Sequence, residues 1–135
     1  MGTDELHKEM TTMSFGSTIT ITVDSNAKVL NRINQDNYGS EYSLLSDTDS
    51  WNLKIRHSTD SVDSDGMTML RHNMYLEHVT YPDGTTPMSK ESLTFTMRGG
   101  KFDGTTNLFN DAAGLLAYLS ASTYAVPADL VVGLN

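Results

Sequence analysis

Residues 51–58, Trp51-Asn52-Leu53-Lys54-Ile55-Arg56-His57-Ser58, decide the fold. Apolar and polar side chains alternate here with a period of two, the pattern of a strand that is apolar on one face and wet on the other. Trp51, Leu53 and Ile55 point one way; Asn52, Lys54 and Arg56 point the other. The alternation continues on both sides. Residues 18–23 place Ile19, Ile21 and Val23 on one face, Asp24-Ser25-Asn26 supplies turn chemistry, and residues 27–34 return as the second arm of a hairpin. A loop at 35–39 leads to a strand at 40–46, where Tyr42 and Leu44 alternate with Glu41 and Ser43. Beyond the polar loop 60–66, residues 69–80 read as a long strand. Its Leu70, Met74 and Leu76 share one face and Arg71, Asn73, Tyr75 and Glu77 the other. Pro82, Asp83, Gly84, Thr85, Thr86 and Pro87 make 81–88 a loop. Residues 90–98 alternate once more, Leu93, Phe95 and Met97 against Ser92, Thr94 and Thr96.

The C-terminal third changes period. Leu108, Ala112, Leu115 and Leu119 recur at helical spacing across 106–122, with Asp111 near the positive end of that helix. Gly114 within it costs about 1 kcal/mol of helix propensity against alanine, which close packing on a neighbour would explain. Pro127 suits a first helical position and opens a short second helix over 128–132. A hairpin, a run of antiparallel strands and then two helices define an α+β domain with helices on one sheet face.

The chain of 135 residues is long enough for a single core. Residues 1–17 are read as an N-terminal extension and 18–135 as one domain. No apolar run reaches the roughly 18 to 20 residues that span a bilayer, and the polar, acidic start is not that of a secretory signal. The absence of cysteine excludes disulfides, thiolate zinc sites and a cysteine nucleophile.

A helix of about 16 residues is about 24 Å long, too short to cover a sheet of several strands. A second subunit whose helix completes the cover is therefore expected, with Leu108, Ala112, Leu115 and Leu119 at the dimer interface; a monomeric small sandwich is the alternative. The net charge of −8 opposes nucleic-acid binding unless basic groups are segregated. Seven basic residues (Lys28, Arg32, Lys54, Arg56, Arg71, Lys90, Arg98) and three acidic ones (Glu41, Glu77, Glu91) fall on the predicted strands. A locally basic sheet face is consistent with RNA binding; simple solvation of strand cations explains the same pattern.

Ser40-Glu41-Tyr42, the run Lys54-Ile55-Arg56-His57-Ser58, the triplet Arg71-His72-Asn73 and the closing Asp129-Leu130-Val131-Val132-Gly133-Leu134, in this order and spacing, resemble the coat proteins of single-stranded RNA bacteriophages. The resemblance covers residues 18–135. It implies a hairpin outside, an antiparallel sheet lining the interior, and C-terminal helices interlocking with a second subunit. The partners implied are the chain itself, as a homodimer and then an icosahedral shell, and single-stranded genomic RNA with a stem-loop whose binding represses replicase translation. Assembly would take place in the bacterial cytoplasm, with no membrane. The loop Pro82, Asp83, Gly84, Thr85, Thr86, Pro87 sits where such proteins gather around symmetry axes. The RNA-facing candidates carried over are Lys54, Arg56, Arg71, Asn73, Tyr75, Thr94 and Thr96. The cations would neutralise phosphates, Tyr75 would stack on an unpaired base, and Asn73 and the threonines would bond base edges or ribose hydroxyls. Glu77 on the same face disfavours phosphate: either it meets a base donor, or the register slips by one and brings His72, Met74 and Leu76 to that face.

Other constellations are weaker. Asp60, Asp63, Asp65 and Gly66 resemble a calcium loop, but the position for the closing glutamate holds His72. His57, His72 and His78 lack a ligand partner set, so core or interface roles are expected and no metal or cofactor. Gly99, Gly100 and Gly104 lack the sequel of a phosphate-binding loop and suit a turn. No catalytic triad is recognisable, and no enzyme activity is expected. A non-assembling RNA-binding repressor dimer is the alternative to a coat protein.

Overall fold

The computed structural model describes residues 15–134, so most of the predicted N-terminal extension lies outside the described residues. Six strands form one sheet in sequence order: β1 (Thr18–Val23), β2 (Asn26–Asp36), β3 (Gly39–Leu45), β4 (Asp49–Thr59), β5 (Met69–Thr80) and β6 (Ser89–Gly100). A helix, α1 (Thr106–Val131), follows. Each strand of the prediction is present. β2, β4 and β6 are longer than periodicity indicates, because their ends, such as Asp36 and Asp49, are polar.

The described residues divide into two bodies: one runs to His57 and includes Asn73–Phe95, the other comprises Ser58–His72 and Thr96 onward. In the first, β1, β2, β3 and β4 pair antiparallel, with Ile19 opposite Leu30, Arg32 opposite Tyr42 and Tyr42 opposite Leu53. Asn73–Thr94 and Glu77–Lys90 contacts run in opposite chain directions, as antiparallel β5 and β6 require. The β1–β2 turn places both Asp24 and Ser25 at positive φ, the twist that a two-residue hairpin loop needs. At the β2–β3 turn, Asp36 Oδ1 accepts the Tyr38 N–H at 2.7 Å. Gly39 is obligatory there, since a Cβ would collide with the Ile55 carbonyl.

Leu30, Tyr42, Trp51, Leu53 and Ile55 form the core, with Ile19, Ile21, Val23, Leu44, Met74 and Leu76 packed against it. In sheet order β1 lies two strands, about 9.5 Å, from β3. Yet Tyr42 Oη donates to the Gly16 carbonyl at 2.6 Å. Ile19 and Ile21 of β1 also line one groove with Leu53, Leu76 and Phe95, so the hairpin curls over that face; the β2–β3 register shifts between Arg32 and Asn34, and such a bulge bends the strand that carries it.

In the second body, Arg98 pairs with Asp60 at 2.7 Å. Asp63 Oδ1 accepts the N–H groups of Asp65 and Met67, so this carboxylate of the acidic loop closes its own turn. Two expectations for the helix are corrected. The chain forms one helical element, not two, interrupted at Ala121 and at Ser122, Thr123 and Tyr124, whose φ values are 54° to 62°. Pro127 lies inside it. The bond that proline cannot donate would go to Thr123, which is already outside helical geometry, so the imide is tolerated just after the break rather than starting a separate helix. Asp111 lies beyond the first turn, which holds no acidic residue.

Candidate functional site

The polar face of the first body has the predicted register: Met74 and Leu76 join the core, leaving Asn73, Tyr75 and Glu77 on the opposite face. Lys54 and Arg56 are exposed. Asn73 Nδ2 donates to Thr94 Oγ1 at 2.8 Å, Tyr75 Oη to Glu77 Oε2 at 2.9 Å, and Asn52 Nδ2 to Glu41 Oε1 at 3.0 Å. Lys90 Nζ lies 3.3 Å from the same Glu77 oxygen, and Arg56 Nη1 lies 3.1 Å from Asp36 Oδ2. The Tyr75 hydroxyl, and then Lys90, hold the Glu77 carboxyl below its ordinary range. The Tyr38 amide, with Arg56, does the same for Asp36. Both carboxylates thus favour the ionised form on this polar face. In the second body, Arg71 is half-buried and Thr96 exposed.

This face is less basic than the count of strand residues implies. Lys28 and Arg32 share the parity of buried Leu30, so they belong to the hairpin's side of the sheet; Arg32 donates to the Gly16 carbonyl. Arg56, Lys90 and Arg98 each meet a carboxylate. Among the described residues, Lys54 and Arg71 make no ion pair. Sequence reasoning set Asn52 on this face and counted Lys90 among the strand cations without naming either as a site residue, and it did not identify Asp36. Strand parity does not reach Asp36, because it comes after the bulge between Arg32 and Asn34.

A second surface is apolar. No residue of α1 is buried. Leu108, Ala112 and Leu119 are half-buried, but Leu115 is 52% exposed, and Phe109 and Leu116, which sequence reasoning did not select, flank the same stripe at 66% and 47%. In the first body, Ile19, Ile21, Leu53, Leu76, Leu93 and Phe95 line an open groove of about 320 Å³, at which Thr94, one of the predicted RNA-facing residues, also lies. Among the described residues, nothing beyond the helix's own backbone lies within 4 Å of a side chain built at Gly114.

The predicted axis loop is a tight turn. Asp83 and Thr86 exchange both backbone bonds, at 3.0 and 2.8 Å, and Gly84 takes positive φ between the flanking Pro82 and Pro87. At its root His78 stacks on Trp51, ring centroids 3.7 Å apart. Its Nε2 lies 2.8 Å from Asp49 Oδ2 and its Nδ1 3.8 Å from Glu91 Oε2. Bonds from Ser46, and then His78, hold the Asp49 carboxyl below its ordinary range. Among the described residues no group of His, Asp and Glu could hold a metal ion.

The architecture has a counterpart. The virus-like particle of bacteriophage AVE019 is similar in fold, with a TM-score of 0.64 and 12% identity over 86% of this chain and 95% of that one. The fold, six antiparallel strands and a C-terminal helix, is that of RNA-phage coat proteins. No curated protein matches in sequence. The family model of the phage phiCb5 coat protein matches residues 16–100, well over half of the chain, and the chain belongs to that family. It is a structural protein of the phage virion, not an enzyme.

Proposed function

We propose that this coat protein acts as a homodimer that assembles into a closed icosahedral shell and binds single-stranded RNA on the polar face of its sheet. Two observations carry this reading together: a helix with no buried residue, and an open groove in the first body lined almost wholly by apolar side chains. Each is an incomplete core, and a second copy completes both. Leu108, Ala112, Leu115 and Leu119, with Phe109 and Leu116, enter the partner's groove. The loop Pro82, Asp83, Gly84, Thr85, Thr86, Pro87 makes the contacts between dimers. Lys54, Arg56 and Arg71 meet phosphates, and Asn73, Tyr75, Thr94 and Thr96 meet bases and riboses of a stem-loop, through which the dimer also represses replicase translation. Expression in bacteria tests this: the protein should be recovered as particles, visible by negative stain, that enclose host RNA. Dimers as the largest species would leave a non-assembling repressor; particles free of RNA would remove the RNA face.

A further inference from the structure

We propose that His78 is a proton-operated clamp on the 81–88 loop, closed while its imidazole is charged and released when the ring is neutral. Its effect on the shell rests on the reading above, in which this loop makes the contacts between dimers. The two ends of the loop are held differently. At the β5 end the Tyr81 N–H donates to the Thr48 carbonyl at 2.9 Å, and Ser46 and Asp49 close the same β3–β4 turn through bonds of their own. At the β6 end Glu91 reaches back toward β5, its Oε2 3.8 Å from His78 Nδ1.

Asp49 fixes the tautomer. Its carboxyl is held below its ordinary range by Ser46 and then by His78, and a carboxylate can only accept. The His78 Nε2, 2.8 Å from Asp49 Oδ2, therefore carries a proton in both states of the ring. In the neutral ring the bare lone pair is on Nδ1 and faces the Glu91 carboxylate, which offers it no donor. Protonation at Nδ1 turns that approach into an ion pair. At 3.8 Å the pair is too long for a hydrogen bond, so it exists only through the charge on the ring. The face of Trp51, stacked on His78 with ring centroids 3.7 Å apart, favours the charged form. The charged groups around the imidazole are Asp49 of β4 and Glu91 of β6, with Lys28 of β2 acting on Asp49. Val23, Leu76 and Leu93, which line the same small cavity, are apolar. Histidine side chains change charge between about pH 5 and about pH 8, so the clamp closes toward mild acid and opens toward mild alkali.

Hydrogen–deuterium exchange of the unassembled full-length protein, corrected for the chemical pH dependence of amide exchange, tests the clamp over residues 81–91. Wild type should exchange about threefold faster at about pH 8.5 than at about pH 5.5, the scale of one exposed ion pair. Glu91→Gln, at an exposed position, should exchange at the faster rate at both pH values, and His78→Gln should do the same. A flat wild-type profile, or a rise that survives in Glu91→Gln, would overturn the clamp. Light scattering of wild-type and Glu91→Gln particles separates the clamp from the reading beneath it. Dissociation should quicken at the higher pH in wild type alone. A loop that switches while the particles are indifferent to pH would leave the clamp standing and remove the loop from the contacts between dimers.

Discussion

Asp49 shows how one side chain joins several strands. Ser46 Oγ donates to it at 2.7 Å from the β3–β4 turn, and His78 of β5 meets it at 2.8 Å while stacking on Trp51 of β4. Its carboxyl is held low by these bonds, which fixes the sign of a pH effect. A folded-state value below the unfolded one means that the unfolded chain binds more protons as the pH falls. The stabilisation is therefore complete above the ordinary carboxylate range and is lost on acidification through the lowered value. Asp36 and Glu77 shift the same way. The urea midpoint should fall between about pH 6 and about pH 3, and less steeply in Asp49→Asn. An identical fall in that variant would show that the Ser46–Asp49–His78 set contributes nothing. At this scale the sequence was partly legible. Alternation placed Trp51, Leu53, Ile55, Met74 and Leu76 correctly, because side-chain direction in a strand depends only on parity. The ion pairs Arg56–Asp36 and Arg98–Asp60 were not legible, since they join residues brought together by strand pairing alone.

Elements carry two further lessons. The hairpin was visible as two alternating runs around Asp24-Ser25, but its return over the sheet depends on the bulge at Arg32–Asn34, which no turn residue marks. Lys28 and Arg32 precede that bulge, and their parity with buried Leu30 sets them on the side opposite the polar face. Periodicity ended the first helical run at 122, but it did not show the form of the interruption: Ser122, Thr123 and Tyr124 take left-handed φ without a glycine among them. Each such residue costs about 1–2 kcal/mol, and no residue of α1 is buried in its own chain to offset this. Packing on a second subunit is the natural source of the compensation. Leu115→Asp should therefore abolish dimers, since a charge carried into an apolar groove costs at least about 2 kcal/mol. Analytical ultracentrifugation of the variant should show monomers or aggregates; a normal dimer would take Leu115 out of the interface.

For the whole molecule, the decisive property is surface left unfinished in one chain. A polar face with most cations already paired predicts RNA binding that is only modestly salt-dependent. Lys54→Ala and Arg71→Ala should each flatten the salt slope by about 0.7 units, one phosphate of single-stranded RNA apiece. Arg56→Ala should do less, because Asp36 already holds that guanidinium; filter binding over a salt series separates the three, and an equal loss at Arg56 would contradict the pairing. The sequence disclosed an amphipathic sheet followed by helical periodicity, and it resembled the right family. It did not disclose the balance of charge on the polar face, because that depends on carboxylates contributed by β2, β3 and β5. The central claim is that one chain does not complete its own core. Native mass spectrometry of protein gently released from particles tests it most directly: the smallest folded species should have twice the chain mass. A folded species of single chain mass, with its helical circular dichroism intact, would contradict it.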